Sequence, residues 1–133
     1  MKSPIQSFII ILSIGLLNLS MVSAAELSSG EKQFLAGYEQ VRAALAADDL
    51  NAAQKAATVL NETGSAIAKS NSLEMARAAF AKLSEEAVKL AGGQPGYYVL
   101  HCGMVDKDWV QISNQPSNPY AGKEMARCGE VRK

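Results

Sequence analysis

The sequence predicts a mainly α fold: a three-helix antiparallel bundle followed by a small C-terminal β-hairpin and a short helix. Three observations carry that expectation. Apolar residues recur at alternating three- and four-residue steps between Phe34 and Leu90. A breaker, Ala91-Gly92-Gly93-Gln94-Pro95-Gly96, then interrupts the pattern. Beyond it, Tyr97-Tyr98-Val99-Leu100 and Trp109-Val110-Gln111-Ile112 have the aromatic and β-branched composition of strands.

The first 25 residues read as a secretory signal peptide rather than as part of the fold. Lys2 supplies a positive n-region, and the ten residues Phe8 to Leu17 form an apolar h-region. Small residues at Ser23-Ala24-Ala25 offer cleavage after Ala24 or Ala25. The apolar run falls short of the ~20 residues a membrane span needs. Asn18, Ser20 and Ser23 interrupt its extension, so no stable span is expected after cleavage. The expected location is therefore the periplasm or the exterior.

What remains, residues 26–133, is long enough for one domain, with a helical part (26–91), a linker (92–96) and a tail (97–133). The full chain balances 13 basic against 13 acidic residues, which provides no electrostatic footprint for nucleic acid or an anionic membrane. One His and two Cys cannot fill a four-ligand His/Cys zinc site. No nucleophile elbow, zinc-protease helix, phosphate loop or C-x-x-C motif occurs, so no enzyme is expected.

The helices follow in order. Ser28 and Ser29 are candidate N-caps for a first helix carrying Phe34, Tyr38, Val41 and Leu45 on one stripe. Asp48-Asp49 closes that helix and can cap a second, which carries Leu50, Ala53, Ala57, Leu60, Gly64 and Ile67; Gly64 is a possible early stop. Asn71 and Glu74 have capping-box spacing for a third, with Leu73, Ala76, Phe80, Leu83, Ala87 and Leu90 inward. Short joins between such stripes argue for antiparallel neighbours. Met75 flanks the third stripe and reads as a filler of core gaps.

The tail is different in kind. After the signal segment, every His, Cys, Trp and Pro lies beyond residue 91. A hairpin is expected from the two strand-like runs, with His101 to Asp108 connecting them. Asn118-Pro119 resembles an N-cap followed by a first-turn proline, opening a short helix through Met125 and Cys128 that stops at Gly129.

Soft ligands gather in this tail: Cys102, Met104, Met125 and Cys128, with His101 beside them. Thiolate and thioether sulfur select Cu(I), or by analogy Ag(I), over hard ions. On a helix, Met125 and Cys128 would share a face. The competing reading joins the same two thiols. In an oxidising compartment a Cys102–Cys128 disulfide is the common fate of two cysteines. It would stabilise the tail by about 3 kcal/mol. Both readings stay open at this level. Trp109 reads as core, and Asp106-Lys107-Asp108 as a solvated turn.

The residues also carry a resemblance. His101-Cys102-Gly103-Met104, Trp109, Asn118-Pro119-Tyr120-Ala121-Gly122-Lys123-Glu124-Met125 and Cys128-Gly129 resemble the H/Y-C-P-M, W-L, N-P-Y-x-G-x-x-M and C-G pattern of an uncharacterised bacterial domain family. Arg77 to Ser84 is similar to its R-x-x-F-x-x-L-S signature, and Ala44 to Asp49 to its A-L-x-x-D-D turn. Two positions depart from it: Gly103 stands in place of Pro, and Val110 in place of Leu. The family occurs as small exported proteins and attached to periplasmic adaptors of copper and silver efflux pumps. The resemblance therefore implies a heavy-metal role, an efflux adaptor as partner, and Cys102, Met104, Met125 and Cys128 as candidate ligands.

Overall fold

The computed structural model describes residues 25–132, so residues 1–24 of the expected signal segment, with its cleavage position at Ala24, lie outside the described residues. Two long helices, α1 (Ser29–Ala46) and α4 (Leu73–Ala91), flank a shorter broken segment. That segment contains α2 (Leu50–Ala57), a 3-10 stretch (Thr58–Gly64) and a single turn, α3 (Ser65–Ala68). Three strands follow: β1 (Tyr98–Cys102), β2 (Lys107–Gln111) and the two-residue β3 (Glu130–Val131). The chain is mainly helical with a small antiparallel sheet, ordered β2-β1-β3.

Capping chemistry sets the helix starts. Ser28 and Glu31 form a reciprocal capping box on α1. The Ser28 amide foremost, and then the Ser28 hydroxyl, hold the Glu31 carboxyl below its usual range by hydrogen bonding. Asp49 caps α2 by accepting from the Ala52 amide. For α4 the cap is Ser72, which accepts from the Met75 amide. A simple Ser72 cap, one residue further on, therefore replaces the expected Asn71–Glu74 box.

The second helix is not continuous to Ile67. Asn61 takes φ 52°, ψ −129°, which no helix accommodates, and the chain kinks there. The kink still delivers Leu60, Gly64 and Ile67 to the interior. Packing, not helical continuity, preserves the stripe. Met75 is another correction: it is 53% exposed and fills no core gap.

The core is built from Leu35, Tyr38, Val41 and Leu45 of α1 against Phe80 and Leu83 of α4. Tyr38 and Phe80 stack with centroids 5.0 Å apart, and Tyr120 of the tail extends the group, 5.6 Å from Phe80. In β2 the run Trp109, Val110, Gln111 is buried residue after residue, which requires cover on both sides of the sheet. Helix α4 lies against β2. By strand alternation Asp108 and Val110 share one face, while Trp109 and Gln111 share the other, under the folded-over tail. Among the described residues no helix is long and apolar enough to cross a membrane.

The expected helix after Pro119 shrinks to a four-residue 3-10 turn, Gly122–Met125. Asn118 organises this segment from a fully buried position. Its Oδ1 accepts from the amides of Tyr120 and Ala121, while its Nδ2 donates to the Cys128 carbonyl. Asn118 thus caps as expected, but a turn and a short 3-10 segment rather than an α-helix follow it. Met125 and Cys128 consequently do not share a helical face.

Candidate functional site

The tail is sutured to the helices through side chains that reach backbone carbonyls. Arg77 on α4 donates Nε to the Pro119 carbonyl and Nη2 to both the Leu45 carbonyl and Asp48 Oδ1. Arg42 on α1 pairs bidentately with Glu39 and donates Nη1 to the Ser117 carbonyl. A buried relay runs from the Val110 amide to the Tyr38 hydroxyl, then to the Ser84 hydroxyl, then to the Asp108 carbonyl. Gln111 uses its whole amide: Oε1 accepts from Trp109 Nε1 and the Ser117 amide, and Nε2 donates to the Ser113 and Gln115 carbonyls. Among the described residues, no fully buried side-chain nitrogen or oxygen lacks a partner.

Most of the residues that carried the resemblance belong to this suture. Asp48, Arg77, Phe80, Ser84, Trp109, Asn118, Tyr120 and Gly129 all hold the tail in place. Gly129, for example, packs so closely on the Trp109 ring that a Cβ there would lie 2.6 Å from its edge. Met104 stands apart. It sits in the four-residue turn Gly103–Asp106 that joins β1 to β2, and it is 77% exposed.

The two thiols are joined. Cys102 ends β1 and is buried, Cys128 is partly buried, and a disulfide links them with 5.4 Å between their Cα atoms. His101 precedes Cys102 in the strand, so its side chain projects from the opposite face. The structure thus brings Cys102 and Cys128 together and separates His101 from them. Met104 lies two residues beyond Cys102 in the turn, and Met125 ends the 3-10 segment, partly buried. Among the described residues, no three His, Cys, Asp or Glu side chains converge in a way that could hold a metal ion.

His101 belongs instead to a cleft of about 430 Å³ between α4 and the hairpin. Val88 and Ala81 of α4 and the Tyr120 ring line its apolar part. His101 Nδ1 lies 2.7 Å from Asp108 Oδ1, and Arg132 Nε reaches the same oxygen at 3.1 Å. Arg132 Nη2 also lies 3.0 Å from His101 Nδ1. Asp106, with φ 51° at the end of the turn, places its exposed carboxylate 3.9 Å from His101 Nε2. The reading of Asp106 as a solvated turn residue fits; Asp108 is an ion-pair residue. No sequence spacing signalled Arg132, which reaches the cluster only because β3 runs back along β1.

Burial governs the two tyrosines near this cleft. It pushes the Tyr120 phenol up to about 12 and raises the Tyr38 phenol further, outweighing the Ser84 hydrogen bonds that act in the other direction. Both hydroxyls are therefore neutral hydrogen-bonding struts at ordinary pH. In comparisons with known proteins, no family model, no curated protein and no solved structure matches the chain.

Proposed function

We propose that the protein is an exported, non-enzymatic, disulfide-stapled module that works by contact with another protein. The Cys102–Cys128 bridge carries this reading, because it takes both thiolates out of metal ligation and suits an oxidising compartment. The signal-like N-terminus supports the periplasm or exterior as its location. The efflux-adaptor resemblance suggests the partner. Joins of three residues between α1 and α2, and of four before α4, favour an antiparallel helical bundle as the scaffold. Mass spectrometry of the protein isolated from its native compartment tests the reading. A quantitative Cys102–Cys128 bridge that persists under metal stress is expected; free thiols or co-purified metal overturn it.

One observation favours a second reading, a reduced form that binds Cu(I) or Ag(I) and passes it to an efflux adaptor. With Cα atoms 5.4 Å apart, Cys102 and Cys128 lie within reach of a single soft ion once the bridge opens. The exposed Met104 thioether stands nearby in sequence, and Met125 is the remaining sulfur candidate. Anaerobic Cu(I) titration of reduced protein decides this. Binding below about half an equivalent, or affinity untouched in the C102S/C128S double variant, rejects it.

A further inference from the structure

We propose that the Cys102–Cys128 bridge latches a C-terminal strap, residues 130–132, so that reduction releases β3 and withdraws Arg132 from the cleft. The inference concerns the disulfide's mechanical role and holds with or without a metal.

The strap has little of its own to hold it. β3 is two residues long, both exposed, and pairs with β1 only through Leu100–Val131 and His101–Glu130. The Arg132 amide adds one hydrogen bond, to the Val99 carbonyl at 2.8 Å. The Arg132–Asp108 ion pair at the end is 53% and 34% exposed, a geometry that contributes little in water. So short a strand is not self-sustaining. Its anchor is the covalent link from Cys128 back to the end of β1.

The chain just before the strap is held differently. The Asn118 amide donates to the Ala126 carbonyl, and Asn118 Nδ2 to the Cys128 carbonyl, both at 3.0 Å. These bonds do not involve sulfur. Reduction therefore loosens the strap ahead of the body. What it exposes is specific: the outer backbone edge of β1 and the His101–Asp108 pair without Arg132.

The chemistry is thiol–disulfide exchange with a dithiol donor. One donor thiolate attacks Sγ of Cys128, the less buried sulfur, forming a mixed disulfide and expelling the Cys102 thiolate, which takes up a proton. The second donor thiol then displaces Cys128. Two electrons pass to the bridge, the donor ends as a disulfide, and the protein ends with two thiols.

Amide hydrogen exchange on the whole mature chain, with and without dithiothreitol, tests the latch. The Arg132 amide is expected to exchange about tenfold faster or more after reduction, reaching its unprotected rate, while the Phe80 and Leu83 amides of α4 stay protected, lowered only by the global loss that opening the bridge entails. An unchanged Arg132 amide overturns the proposal. So does complete loss of protection in α4, which would mean that the whole fold, and not the strap alone, depends on the bridge. Neither readout depends on metal, so the latch and the Cu(I) reading fail separately.

Discussion

Arg77 Nη2 and Asp48 Oδ1 meet at 2.6 Å, joining the middle of the sequence to the corner between α1 and α2. The other oxygen of Asp48 accepts from the Lys123 amide at 3.1 Å, and Arg77 also holds the Pro119 carbonyl. Corner, long helix and tail thus converge on a single ion pair. Asp48 can occupy that corner because it adopts φ 58°, a conformation an Asx side chain tolerates.

The Arg77 hydrogen bond, and after it the Lys123 amide, hold the Asp48 carboxyl below its ordinary value of 3.8. A depressed folded-state value adds stability above the ordinary one, and that stability is lost as pH falls through the lowered value. The urea midpoint should therefore decline in acid below pH 3.8. D48N, which keeps the backbone conformation, should be less stable at neutral pH and show a flatter acid limb.

Gly122 has φ 59°, and a Cβ there would overlap Asp48 Oδ1 and crowd Arg77 Nη2. G122A is expected to cost about 2 kcal/mol or more, from left-handed backbone strain together with displacement of the ion pair. Chemical denaturation measures it. A change within experimental error would show that the corner tolerates a shift.

Tyr38→Phe removes the middle of the buried relay and strands the Val110 amide. It should cost about 1–3 kcal/mol with the fold retained, read from the urea midpoint. Alkali provides a second test. The phenols of Tyr38 and Tyr120 have raised folded-state values, so the stability they contribute is complete below 10.0 and is lost as pH rises above it. Wild-type unfolding monitored by circular dichroism should shift accordingly, and Y38F should blunt the shift.

Replacing both cysteines by serine opens a loop whose ends are 26 residues apart. The loss of unfolded-state constraint predicts a destabilisation of about 3 kcal/mol. Thermal unfolding of C102S/C128S against oxidised wild type reads it directly. Equality of the two would show that the bridge contributes nothing to stability.

Much of the helical framework was legible because it rests on local signals. Ser28 and Asp49 cap where short-range chemistry says they should, and the stripes through Val41 and Phe80 face inward by periodicity. Asn61 escaped notice because a left-handed kink compatible with the stripe leaves the apolar spacing intact. The tail was legible in its composition but not in its shape. Asn118 caps as its place before Pro119 suggested, yet the same buried amide is also tied to the Cys128 carbonyl, and a turn rather than a helix follows it.

The sequence by itself determined the helical class, the break at residues 91–96, the strand-forming runs and the concentration of sulfur beyond it. Each is written in neighbours a few residues apart. Only the tertiary structure decided that Cys102 bonds Cys128 and that His101 turns away from both toward Asp108 and Arg132. Those outcomes depend on strand register and on a tail folding back across the sheet. They are fixed by long-range packing and by the need to pair every buried polar group, neither of which is encoded in local spacing.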